Sequence, residues 1–151
     1  MALDISTLRN LVEVLHDGKE FYKEALEKID SPEFKPLFSR MVQSKAAIAG
    51  DLNAKIIEAG ESSEKGGSIG GALLHGYDKL RTSLSRSPGK EYVSQLEQFE
   101  DRIVSAFRDA AENSEDIDTR NLVARYVPDV LRDHKEMSQL KHRLEQMDRA
   151  A

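Results

Sequence analysis

The sequence predicts an all-α protein built as a bundle of four long amphipathic helices, and three observations carry that reading. Apolar residues recur at spacings of three and four through most of the chain, as one face of a helix requires. No run alternates apolar and polar residues in the manner of a strand. Six of the nine glycines, Gly60, Gly66, Gly67, Gly70, Gly71 and Gly76, crowd into one segment that separates two helical halves.

The first helix begins near Thr7, with the stripe Leu8, Leu11, Leu15, Gly18, Tyr22, Ala25 and Ile29. Ser6 or Thr7 is the expected cap, and Asp30-Ser31-Pro32 the stop, because proline cannot continue a helix interior. The second carries Phe34, Leu37, Met41, Ser44, Ile48, Leu52 and Ile56, and ends at Gly60, the usual residue for a left-handed helix end. The segment 60–89 is expected to be a crossover holding a shorter helix over Ser68 to Leu84, with Gly67 and Gly71 allowing close backbone approach. The third helix resumes after Ser87-Pro88-Gly89 with Val93, Leu96, Glu100, Ile103, Phe107 and Ala110, and stops in the polar run Asn113 to Asp118. Val123, Tyr126, Val130, Asp133, Met137, Leu140, Leu144 and Met147 make the fourth, with a kink expected at Pro128.

Short connections make antiparallel neighbours, whereas the long one lets the third helix run parallel to the second. That is the single-crossover arrangement of ferritin-like bundles, so topology predicts an all-α, ferritin-like four-helix bundle with a short extra helix in the crossover. At 151 residues the expectation is a single domain over 1–151. Absence of cysteine excludes a disulfide scaffold, a thiolate metal site and a cysteine nucleophile. A net charge of −5, without a basic cluster, argues against nucleic acid and anionic membrane surfaces as partners. The N-terminal stretch has neither the basic start nor the apolar run of a signal peptide, and a cytoplasmic location is expected.

A ferritin-like di-metal site takes a Glu from each of two helices and a Glu-x-x-His pair from each of the others. Among the four histidines only His16 has a Glu three residues earlier, and the wheel places Glu13 and His16 on the solvated side. The second helix offers Ser44, Lys45 and Ile48 inward, with no carboxylate, and an ammonium there repels a divalent cation and binds carboxylates instead. Aligning helix midpoints puts Tyr22, Ser44, Lys45, Glu100, Asp133 and His134 at one depth, a polar layer in an apolar bundle. The first reading of that layer is register, since a buried carboxylate needs a partner. The alternative is a degenerate iron or manganese site of Glu97, Glu100, Asp133 and His134.

These residues resemble the bacterial ferritin-like proteins grouped as domain of unknown function 2383, over nearly the whole chain. The resemblance lies in Asp17-Gly18 with Tyr22 and Ala25, in Phe38, Leu52 and Gly60, and in Gly67-Ser68-Ile69 with Gly71-Ala72 and His75. It continues in Glu97, Glu100 and Asp101, and in Tyr126 and His134. The chain departs from the family pattern by an inserted leucine before His75 and by Tyr77 in place of Trp. The resemblance implies a ferritin-like four-helix bundle distantly related to di-iron proteins. It supplies no activity, and singles out Glu97, Glu100, His75 and His134.

Together these readings favour a non-catalytic bundle with an incomplete di-metal site and no cofactor, acting through self-association or an unknown protein partner. A metal-binding oxidase or stress protein is the alternative. A third reading puts a small-molecule pocket at His75 and Tyr77, between crossover and bundle.

Overall fold

A computed structural model describes residues 3–29, 31–62 and 88–150, and these are all-helical, with no strand. The helices are α1 (Ile5–Lys28), α2 (Lys35–Glu58), α3 (Pro88–Asn113), α4 (Ile117–Ala124) and α5 (Val127–Ala150). The expected crossover helix over Ser68 to Leu84, with Gly67, Gly71, His75 and Tyr77, lies outside the described residues.

Contacts between helices set their directions. Between α2 and α5, Arg40 meets Glu136 and Ser44 meets Asp133, and Asp51 meets Tyr126 just before α5, so numbers rise in one as they fall in the other. Glu97 with Lys141 and Asp101 with His134 show the same opposition between α3 and α5. Helices α2 and α3 therefore run parallel to each other. Packing of α1 spans both of them: Tyr22 meets Phe38 on α2, and Phe21 meets Phe99 on α3, with ring centroids 5.6 and 4.6 Å apart.

The core has two halves. One is rich in aromatic rings, with Phe21, Tyr22, Phe34, Phe38, Tyr92 and Phe99 beside Met41 and Met137. The other is mainly aliphatic, with Leu8, Leu11, Leu15, Ile48, Leu52, Ile56, Ile103 and Val130 around Phe107. On each long helix one residue stands between the halves: Gly18, Lys45, Glu100 and Asp133.

Three expectations are corrected by the structure. Helix α1 starts at Ile5, and its cap is Asp4, not Ser6 or Thr7; the Asp4 carboxylate accepts from the Thr7 N–H and hydroxyl. An aspartate is among the best such acceptors, and the Thr7 hydroxyl consolidates it. The predicted fourth helix is two helices, and α4 takes in residues of the supposed polar connection, capped by Asp116. The break falls at Arg125 and Tyr126 rather than as a kink at Pro128. Proline at 128 has no N–H to give the Ala124 carbonyl and its ring crowds that oxygen, so α4 ends at Ala124. Pro128 then sits in the first turn of α5, where no N–H is needed. Tyr126, in the break, is half-buried, and Met147, near the far end of α5, is 62% exposed. Finally Glu13, expected in solvent, is buried, while His16 is half-buried. Because α1 packs against both α2 and α3, its covered face is wider than a single stripe and takes in Leu11, Val12 and Glu13.

The two capped helix starts are joined. Thr119, fully buried, donates its hydroxyl to Asp116 Oδ2 at 2.8 Å and accepts the Asp4 N–H at 2.8 Å. Thr119→Val keeps the shape but leaves the Asp4 N–H without its acceptor, so stability should fall by about 1–3 kcal/mol in urea denaturation, with helix content retained. An unchanged midpoint would show that water replaces the hydroxyl without loss.

Candidate functional site

At the seam between the two core halves the Lys45 side chain is 2% exposed, Glu100 1% and Asp133 5%. The seam exists because each long helix interrupts its apolar stripe there, one residue in a face otherwise made of Leu, Ile, Met and Phe. The Lys45 ammonium contacts Glu100 Oε1 and lies 3.4 Å from Asp133 Oδ2, bridging α3 and α5 from α2. Ser44, the preceding residue on α2, donates its hydroxyl to Asp133 Oδ2 at 2.7 Å. The Tyr22 ring closes the layer from α1, with its centroid 5.1 Å from Lys45 Nζ. An ammonium over an aromatic face is attracted by the ring's negative quadrupole, most strongly where water is excluded.

Gly18 on α1 faces the lysine stem, and its missing side chain matters most toward Ile103. A β-carbon there would come 3.5 Å from Lys45 Cε and 3.1 Å from Ile103 Cδ1. Glycine therefore lets α1 approach α2 and α3 while the four-carbon stem passes through. Sequence reading placed Gly18 in the apolar stripe without this role. The available signal was a glycine on the buried face, level with a lysine on the next helix.

Inside the layer two carboxylates face one ammonium, with the exposed Arg132 guanidinium 4.0 Å from Asp133 Oδ1 at its edge. Glu100 Oε2 and the Tyr22 hydroxyl are buried without a hydrogen-bond partner among the described residues. Burial is the main reason that the Glu100 carboxyl is pushed above its ordinary 4.5, with Lys45 opposing and Asp133 adding to the rise. Burial likewise raises the Tyr22 phenol well above 10.0, reinforced by Glu100 and Asp133, so it is a neutral hydroxyl.

Of the six residues expected in the polar layer, five converge: Tyr22, Ser44, Lys45, Glu100 and Asp133. His134 does not join them; its Nε2 pairs with Asp101, and it is 30% exposed. A residue next to Asp133 points about 100° away around the helix, which turns His134 out over the flank of α3. Asp101 is thus a partner that depth alone did not indicate. Glu97 sits a turn away from Glu100, half-buried, with Lys141 at 3.4 Å. The four candidate metal ligands are therefore divided, and only Glu100 and Asp133 come together, with an ammonium between them. That donor set does not fit a divalent metal pair: it has two carboxylates, lacks an imidazole, and holds a fixed positive charge where the cation would sit. Among the described residues no three His, Asp or Glu side chains form a group able to hold a metal ion. His75 and Tyr77 lie outside the described residues.

A family model described as Domain of unknown function (DUF2383) matches residues 4–113. The match includes Tyr22, Ser44, Lys45 and Glu100 and ends with α3, so Asp133 and His134 lie beyond it. No curated protein matches the chain.

Removing one member of a buried ion pair strands the other, whereas replacing the whole set with apolar groups removes the desolvation cost too. Lys45→Met should therefore destabilise the protein by about 3–5 kcal/mol in chemical denaturation. The triple replacement Lys45→Met, Glu100→Leu and Asp133→Leu should recover most of that loss; a triple variant no more stable than the single one would count against this account.

The raised Glu100 carboxyl fixes a sign for pH. Between its ordinary 4.5 and the higher folded value, the native state binds more protons than the unfolded chain, so this group's contribution to stability falls as pH rises. Glu100→Gln should flatten that fall between acid and neutral pH. A parallel pair of stability profiles would assign the pH dependence to other groups.

Proposed function

The chain belongs to the family of domain of unknown function 2383, and on that premise we propose that it is a ferritin-like four-helix bundle whose core works without metal. In this reading Lys45 provides the positive charge that a cation would otherwise bring, and the bundle acts through self-association or a protein partner. Support for the ferritin-like topology comes from the parallel course of α2 and α3, which a long crossover between them permits. The observation that carries the functional reading is the Lys45 ammonium between Glu100 and Asp133. A divalent ion would have to displace a cation already satisfied by two carboxylates and an aromatic face, in a site too dry to rehydrate the lysine.

Support for association is of a different kind. Ile57 and Ile117 are 58% exposed and Met147 62%, large apolar side chains at the ends of helices. No described helix is long and apolar enough to cross a membrane, so these are not parts of a spanning segment. A metal-dependent oxidase would need Glu97 and His134 to leave Lys141 and Asp101 and turn inward, and no contact in the layer favours that.

The test is metal content by elemental mass spectrometry, on untagged protein produced with iron and manganese supplied, alongside light scattering for mass in solution. The expected result is no stoichiometric metal and a mass above that of one chain. Stoichiometric iron or manganese that disappears in Glu100→Ala would overturn the metal-free reading. A monomer that captures no second copy would leave a separate protein as the partner.

A further inference from the structure

A buried lysine touching two carboxyls is more than an ion pair, because the same contacts are those an amide-forming condensation needs. We propose that the Lys45 ε-amine condenses with the Asp133 carboxyl, with Glu100 carrying the proton, to give an intramolecular amide that ties α2 covalently to α5. This makes Lys45 and Asp133 a self-modification site. It is a later state of the layer described above: the Lys45 ammonium holds the site until the amide forms and the amide holds it afterwards, whether or not the protein associates with a partner.

Three features of the layer support it. The first is proximity: Nζ lies 3.4 Å from Asp133 Oδ2, an oxygen bonded to the carbon it would attack, within a packed bundle that keeps the two groups together. Second, a proton acceptor is in contact with the nucleophile, since Lys45 Nζ also meets Glu100 Oε1. Burial makes Glu100 a better base than an exposed carboxylate, and its Oε2 has no partner among the described residues. Third, the electrophile is polarised: the Ser44 hydroxyl donates to Asp133 Oδ2 at 2.7 Å, drawing electron density from the carboxyl carbon. In water the ammonium and carboxylate are each stabilised by solvent and do not condense. Inside an apolar bundle both ions carry a desolvation penalty that the neutral amide does not.

The step balances without an oxidant or a further reactant. The ammonium gives one proton to Glu100, which passes it to the Asp133 carboxylate, and the freed lone pair attacks Cγ of the now neutral carboxyl to form the C–N bond. The Cγ–Oδ2 bond then breaks with its electron pair on oxygen. That oxygen, already carrying the first proton, takes a second from the former amine by way of Glu100 and leaves as water. Glu100 ends as it began, and the layer has exchanged two charges for one amide.

Intact-mass spectrometry of the folded full-length protein, held at neutral pH and then denatured, tests this directly. The expected mass is that of the sequence less one water, with Lys45→Arg at full mass. Glu100→Gln, which cannot take the proton, should stay at full mass or lose water far more slowly. Trypsin should leave the bond after Lys45 uncut, because an amidated lysine has no positive charge, and release peptide 41–55 joined to 133–135. Full mass in the folded wild-type protein after prolonged incubation overturns the proposal, and that result decides even where Lys45→Arg does not fold. So does a loss of water that persists in Lys45→Arg, since Asp17-Gly18 can lose water by closing on its own backbone.

Discussion

One buried ammonium constrains the rest of this structure. Lys45 enters the centre of an apolar bundle from α2, and the free energy of leaving it alone there is prohibitive. Glu100 and Asp133 must therefore arrive at the same level from α3 and α5, and Tyr22 from α1 covers what remains. An apolar interface tolerates sliding by a turn, because one leucine replaces another. A charged contact does not, since displacement by a turn strands an ion. The layer thus specifies the register of every long helix at once.

Around that level the chain divides its core into an aromatic half and an aliphatic half, and Gly18 lets both be tight. Four helices pack closely only where side chains take turns filling the centre, and a lysine stem at that depth needs an opposing residue that fills nothing. Gly18 brings no side chain to that level, where a β-carbon would press on Ile103 at 3.1 Å, and it loosens the middle of α1 in exchange. The linked starts of α1 and α4, through Asp4, Thr119 and Asp116, secure the aliphatic end by hydrogen bonds rather than by further apolar area. The short α4 owes its existence to Pro128, which removes the hydrogen bond that would have continued it into α5.

The same layer decides what chemistry the core can support. Inward carboxylates in a helical bundle ordinarily suggest a divalent cation, and Glu100 and Asp133 do meet. What they meet is an ammonium, with one carboxyl oxygen and one phenol left over. The charge is carried by a side chain of α2, so it is tethered at this level of the bundle. Burial is the main reason that Glu100 holds its proton more tightly than an exposed residue does, and the neighbouring Asp133 adds to it.

The helical class, the apolar faces of the long helices and the depth of the polar layer were legible in the sequence, because they depend on local quantities, whereas the division of the expected fourth helix ahead of Pro128 was not. Spacing at three and four marks a face, proline and glycine mark ends, and residue count from each helix middle gives depth. Those rules identified Tyr22, Ser44, Lys45, Glu100 and Asp133 as level with one another. They failed where a residue's surroundings come from another helix. Glu13 lies under helices packed on two sides of α1, which no wheel drawn for α1 alone contains. His134 has the right depth but the wrong azimuth, and its partner Asp101 becomes apparent only once α3 and α5 are packed. Which carboxylate the lysine takes, and whether glycine makes way for it, were decided by tertiary structure alone, because Coulomb contact and steric space depend on distances of a few ångströms between segments far apart in the chain.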